Sequence, residues 1–225
     1  MLRMVITSFY NTLIDNEDAI SMSTMLEIDK LRKNNTLFTI CTNRDKDEVL
    51  YYNKDYPFID YIISMNGNYI YDVKKDTSIY KKALKKSTIK KIEKIFQNYE
   101  LKYYKEEDEI YKIEIPIKKK EINIINEISN LEVSSSIFKY NNNLFIEITS
   151  LNTYEGIKYL LKKLKITTND VISIIGNLSE KEIINNIDKT YVVSNANKEL
   201  KSISNYKTKS NNLKGVEQVL IKYNK

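Results

Sequence analysis

The run Met4-Val5-Ile6-Thr7-Ser8-Phe9-Tyr10-Asn11-Thr12-Leu13 decides how the rest of the chain is read. It opens as a short apolar run and passes into a polar turn over 8–11. A helical period follows over 17–33, with Ile20, Met25, Ile28 and Leu31 on one face. That order is strand, loop, helix, and it recurs at once. Residues 37–41 form a second buried run, Thr42-Asn43-Arg44 a loop, and 45–52 a helix whose acidic start suits the positive end of a helix dipole. Residues 61–64 and 69–71 flank Asn66-Gly67-Asn68 and read as a third strand turning back through a hairpin. Two βα steps and a hairpin predict a largely parallel α/β sheet.

From residue 80 the texture changes. A Lys-rich helical period over 80–99 carries Leu84, Ile89, Ile92 and Phe96 on one face. Residues 110–117 alternate, with Tyr111, Ile113, Ile115 and Ile117 on one side and Lys112 and Glu114 on the other. A second helix over 118–129 and strands over 131–140 and 144–149, joined at Asn141-Asn142-Asn143, repeat the plan. These features predict an α+β module whose two helices cover one face of its sheet. The βα rhythm then resumes: a helix over 154–164, an apolar strand over 171–175 closed by Gly176, a helix near 180–186 and a strand over 190–194. The reading is one core from residues 1–77 and 150–225, interrupted by a separate domain over 78–149.

Composition narrows the chemistry. The chain has 225 residues, no His and one Cys, which excludes His-based triads, His-ligated zinc, multi-Cys metal sites and an internal disulfide. Cys41 lies in an apolar run and reads as a small buried side chain. Lys and Arg number 36 against 30 Asp and Glu, a formal net charge of +6, yet only Arg3, Arg32 and Arg44 are arginines. A scattered Lys surplus lacks the bidentate side chains that read bases and clamp phosphates, so nucleic acid is not the expected partner. No stretch has the roughly 18 apolar residues of a membrane span, and residues 1–14 lack a signal-peptide pattern. The expectation is a soluble cytoplasmic protein with no membrane partner.

A series of short motifs follows this plan in order. Ser8-Phe9-Tyr10-Asn11-Thr12-Leu13 follows the first strand, Thr42-Asn43-Arg44 the second, and Ile63-Ser64-Met65-Asn66-Gly67 forms the hairpin. Glu155-Gly156 sits at a helix start, and Gly176-Asn177-Leu178-Ser179-Glu180-Lys181 follows the late strand. Ser194-Asn195-Ala196 and Gly215-Val216 come after it. Over about residues 4–73 and 145–220 this order resembles the haloacid dehalogenase-like (HAD) superfamily, and within it the Cof-type phosphatases of cap class IIB. The resemblance implies an α/β fold with a HAD-like Rossmannoid core, a mainly parallel sheet and an inserted small α+β cap domain.

In such phosphatases the first motif reads Asp-x-Asp-Gly-Thr-Leu, the third places Lys before Gly, and the fourth reads Gly-Asp-x-x-Asn-Asp. The resemblance gives the first Asp the attack on phosphorus and the second the leaving-group proton and a carbonyl to Mg²⁺. The fourth-motif acid completes the metal site, and the Lys steadies nucleophile and phosphate. This chain has Ser8, Tyr10, Asn177 and Glu155 at those positions, with Lys181 ending the fourth motif. Mg²⁺ is a hard cation usually held through carboxylates, and Ser8 and Asn177 offer none. Serine is a weak nucleophile without an adjacent base, a task left here to Glu155 or Glu180. A carboxylate about 4 Å from a phosphate oxygen would repel it by roughly 4 kcal/mol at an effective dielectric near 20. Loss of nucleophile, acid/base and metal together costs on the order of 10⁶-fold in rate.

The expectation is a catalytically degenerate HAD-like protein, a binding or regulatory pseudophosphatase engaging an unidentified protein partner or small ligand. No catalytic role is expected for Ser8, Tyr10, Thr42, Glu155, Asn177 or Lys181, and no metal or other cofactor is expected. Residual anion or ligand binding falls to Thr42, Asn43, Arg44, Asn66 and Gly67, with Thr42 otherwise capping the helix after it. Glu155 and Lys181 reverse the family's charges and are expected to face each other as an ion pair, contributing about 0–1 kcal/mol. The alternatives are an active HAD hydrolase of small phosphorylated metabolites that uses Mg²⁺, and a basic nucleic-acid-binding accessory protein.

Overall fold

Residues Met4–Ser8 are apolar without alternation because they form a strand buried on both faces, β1, in the interior of a sheet. The computed structural model describes residues 1–54, 56–140 and 143–224. After β1 come α1 (Met22–Lys33), β2 (Leu37–Cys41), α2 (Lys46–Asn53), β3 (Tyr61–Ser64), β4 (Tyr69–Asp72) and β5 (Thr77–Lys81). The inserted segment supplies α3 (Lys86–Ile95), β6 (Lys102–Glu106), β7 (Glu109–Ile117), a 3₁₀ stretch over Lys119–Ile128, β8 (Ser134–Tyr140) and β9 (Asn143–Thr149). The chain then returns through α4 (Thr153–Leu164), β10 (Val171–Ile175), α5 (Lys181–Ile184), β11 (Thr190–Val193), α6 (Lys198–Ile203), β12 (Tyr206–Thr208) and α7 (Gly215–Tyr223).

The large sheet has the order β12-β11-β10-β1-β2-β3-β4-β5. Its pairings from β12 to β3 are parallel, whereas β3–β4 and β4–β5 are antiparallel. Register sets Thr7 opposite Ile174 and Ser8 opposite Cys41, so the carboxyl ends of β1, β2 and β10 open together along one edge. Loops at such an edge are where α/β sheets place their ligand sites.

Several sequence boundaries move. α1 begins at Met22 and not at 17, because Asp15 Oδ1 accepts from the Glu17 and Ala19 amides and Ser21 caps the helix by accepting from Thr24 N. The Lys-rich helix likewise begins at Lys86, since residues 77–81 form β5. The 77/78 division therefore falls inside a strand that pairs with β4 in the large sheet. Asn141 and Asn142, read as a turn, lie outside the described residues. The segment α6-β12-α7 carried no expectation and closes one edge of the large sheet. Among the described residues no helix is long and apolar enough to cross a membrane.

The insert forms an antiparallel sheet, β6-β7-β9-β8. Ile113, Ile115, Ile146 and Ile148 line its apolar face and pack with Ile89, Ile92 and Phe96 of the α3 region and with Ile128. Its other face looks toward the large sheet, and Lys112, alternating as an outward residue, is fully buried there. Both connections to this cap meet at Asn68, itself fully buried. Its carbonyl accepts from Lys82 N at 2.8 Å, its Oδ1 accepts from Leu151 N at 2.9 Å, and its Nδ2 donates to Leu151 O at 2.9 Å.

Candidate functional site

At the carboxyl edge of β1, Ser8 is fully buried and donates its hydroxyl to Glu180 Oε2. The two are 172 residues apart in sequence and meet because β10 lies beside β1. Glu180 is reached through a 3₁₀ turn over Leu178–Glu180, where Asn177 and Glu180 cap each other and Asn177 N donates to Glu180 Oε2 at 3.3 Å. Burial pushes the Glu180 pKa up to about 7, against the lowering by the bonds from Ser8 and Asn177. Cys41, buried alongside, has its thiol pushed up by burial and by the nearby Glu180 charge.

Tyr10 leaves the turn after β1 with an extended backbone, while Asn11 takes a left-handed φ of 58°. The Tyr10 hydroxyl donates to Glu48 Oε2 at 2.8 Å, and burial together with Glu48 pushes its pKa up. Arg44 stacks on the Tyr10 ring at 4.1 Å and donates from Nη1 to the same Glu48 oxygen at 2.9 Å. Thr42 does not cap α2. Its Oγ1 accepts from Arg44 N at 3.1 Å, and the Asp45 side chain caps the helix by accepting from Asp47 N at 3.0 Å.

The expected Glu155–Lys181 ion pair is not formed. Glu155 sits in the first turn of α4, where a carboxylate suits the helix dipole, and pairs with Lys158 at 3.8 Å. Lys181 is exposed and lines a cavity beside Ser179 and Glu182. Gly67 and Gly156 have a packing reason instead. Gly67 has φ of 92°, and a Cβ on it would stand 2.5 Å from Asn152 O. A Cβ on Gly156 would stand 2.6 Å from Gly67 O, so α4 approaches the hairpin turn backbone to backbone.

That turn is tied to the loop after β2 by Asn66 N donating to Thr42 O and Met65 N donating to Arg44 O. The cap lowers its polar face onto both. Glu147 Oε1 accepts from Asn43 Nδ2 at 2.7 Å and its Oε2 from Asn66 Nδ2 at 3.1 Å. Lys112 Nζ donates to Glu147 Oε1 at 3.1 Å, to Glu114 Oε2 at 3.3 Å and across the seam to the Asn43 carbonyl at 2.8 Å. It also lies 3.8 Å from the centre of the Tyr104 ring. Two cavities of about 340 Å³ each flank this contact and share Ile137, Leu178 and Ser179, where β8 meets the core.

The architecture is thus an α/β core whose sheet carries its loops at one edge, with a four-stranded cap set over them. The family model of the haloacid dehalogenase-like hydrolases matches residues 11–126 and 97–220. The chain belongs to this family. Among solved structures, a HAD-superfamily phosphatase from Bacteroides thetaiotaomicron is 12% identical over 99% of this chain and 95% of its own, with a TM-score of 0.87. A haloacid dehalogenase-like hydrolase from B. subtilis is 15% identical over 98% of this chain and 99% of its own, with a TM-score of 0.87. A HAD subclass IIB sugar phosphatase is 15% identical over 98% of both chains, with a TM-score of 0.84. Likeness at these identities is likeness of fold. No curated protein matches the chain.

Within this HAD fold the first and fourth motif segments meet as the resemblance implies, through Ser8 and the turn holding Asn177 and Glu180. Lys181 and Glu155 take other partners or face a cavity. The sequence offers Glu180 as a base, and its only local signal is the Asn177-x-x-Glu180 capping spacing. Lys112 and Glu147 were missed as site residues. Their signal was a Lys and a Glu on polar strand faces of one module.

Proposed function

We propose that this HAD family member is a catalytically degenerate binding or regulatory protein, a pseudophosphatase that holds a partner or small ligand at the cap–core cleft. The observation that carries this reading is the buried Ser8–Glu180 hydrogen bond at the nucleophile position. Ser8 is sealed from substrate, and its hydroxyl is already given to the nearest carboxylate. The donors around it also do not fit Mg²⁺: Ser8 and Asn177 are neutral, and Glu180 Oε2 accepts from both. Among the described residues no three His, Cys, Asp or Glu side chains gather as a metal site. Glu155 supports the same reading, since it stands at the motif position where the resemblance implies a Lys. The cavities beside the seam offer about 340 Å³ each, the size of a small-molecule site.

The contact between Ser8 and Glu180 also gives a second reading its one observation, an active hydrolase with Ser8 as nucleophile and Glu180 as base. Incubation with an aryl phosphate and millimolar Mg²⁺ separates the two. The expected result is no release above the buffer blank. Turnover that disappears in Ser8→Ala would overturn the degenerate reading.

A further inference from the structure

We propose that the outer face of the cap, centred on α3, binds the phosphate backbone of a nucleic-acid duplex without reading its sequence. The Lys surplus is concentrated, not scattered. Residues 81–94 hold seven Lys and one Glu, so this stretch carries the whole formal charge of +6, and the other 211 residues balance at 29 basic against 29 acidic side chains. All seven lysines are exposed. Ile89 and Ile92 turn one side of α3 toward the cap sheet, which leaves its lysines on the side away from the cleft. The helix breaks local rules to carry this charge. Lys86, Lys90 and Lys94 recur every four residues as one ridge about 12 Å long, and like charges at that spacing repel each other. The helix also starts on Lys85 and Lys86, with no side-chain cap and no acid in its first turn, where the dipole favours negative charge. Among the described residues Lys81 pairs with Glu106 at 2.5 Å and Lys85 with Glu132 at 2.8 Å, while Lys82, Lys86, Lys90, Lys91 and Lys94 form no ion pair. Ridge and dipole together leave a positive field that a polyanion would neutralise.

The chemistry of the face selects among polyanions. Protein interfaces are depleted of Lys and anchored by aromatic or apolar side chains, and among the described residues the cap exposes no large apolar or aromatic side chain. The same lack leaves a bilayer nothing to insert and unpaired bases nothing to stack on. Nucleic-acid interfaces are much more positively charged than protein interfaces, and Lys meets phosphate as a point charge. Arg3, Arg32 and Arg44 all lie in the core, so the forked side chain that most often reads a base edge is absent from the cap. Contact with the backbone alone follows. This face lies outside the cleft, and the inference holds whether or not the cleft takes a ligand.

Fluorescence anisotropy of the full chain with a labelled mixed-sequence DNA duplex of about 20 bp, titrated with salt, tests this. Binding should fall with salt at a log–log slope of about −4, as for four or five neutralised phosphates, and a duplex of unrelated sequence should bind within about twofold. Lys90→Glu separates binding from structure, because it turns both repulsive pairs of the ridge into attractive ones. It should hold or raise the melting temperature, weaken duplex binding at least tenfold at about 50 mM salt and reduce the slope by at least about 1. Lys198→Glu makes the same change of net charge at an exposed core position and should weaken binding less than threefold. No duplex binding at about 50 mM salt, or equal loss in the two variants, would overturn the proposal. Retention by phosphatidylserine-rich vesicles or by polyglutamate without duplex binding would overturn it in favour of a lipid or a protein partner.

Discussion

Glu147 in the seam and Glu180 in the core pocket are both sealed from solvent, 1% and 4% exposed, yet they are held in opposite ways. Glu147 faces a buried ammonium and two side-chain amides. Glu180 faces a hydroxyl and a backbone amide, and burial raises its affinity for a proton against the lowering by these two bonds. A carboxylate buried with its cation is part of a joint, and one buried against neutral donors has its proton affinity raised by burial in spite of them.

The largest effect should come from removing the cation. Lys112→Met leaves Glu147 and Glu114 buried or half-buried together without it, and urea unfolding should show a loss of about 3–5 kcal/mol. A loss below about 1 kcal/mol would erase the contrast between the two carboxylates. The pH dependence of Glu180 comes next. Its folded pKa, about 7, lies above the ordinary 4.5, so its contribution is fully present below pH 4.5 and is lost as pH rises toward 7. That loss amounts to about 3 kcal/mol. Glu180→Gln should flatten this part of the stability profile and raise stability at pH 8 by about 2–3 kcal/mol. An unchanged slope would show that another group carries it.

Ser8→Ala should act in the reverse direction and more weakly. It removes a bond that lowers the Glu180 pKa, so the pH-dependent loss should move upward in pH, with about 1 kcal/mol lost at pH 8. The smallest effect is expected from Mg²⁺. Millimolar Mg²⁺ should change the melting temperature by less than about 1 °C, whereas tight binding at the folded site would raise it with concentration. A rise abolished by Glu180→Gln would place a metal in the pocket after all.

The comparison also locates what the linear sequence could carry. β1, β2 and β10 were legible because strands buried on both faces read as unbroken apolar runs. The Asn66-Gly67 turn was legible because left-handed backbone favours those residues. The start of α1 was not, since Ile20 continues the helical period although Asp15 and Ser21 organise the turn before the helix. The burial of Lys112 was hidden for a more general reason. Alternation in a strand tells which residues share a face, and only the packing of two sheets tells what covers it. The Ser8–Glu180 contact depended likewise on which strands become neighbours, which is fixed by topology across 172 residues.

The knot of hydrogen bonds at Asn68 has an architectural consequence. Both crossings between core and cap are bonded to this one residue, the first through its backbone carbonyl and the second through its side chain, so the cap is grafted at essentially a single point of the core hairpin. A short turn joining residue 82 to residue 151 should then excise the cap with every strand of the large sheet retained, and a foreign module of similar span should be transplantable into the same gap.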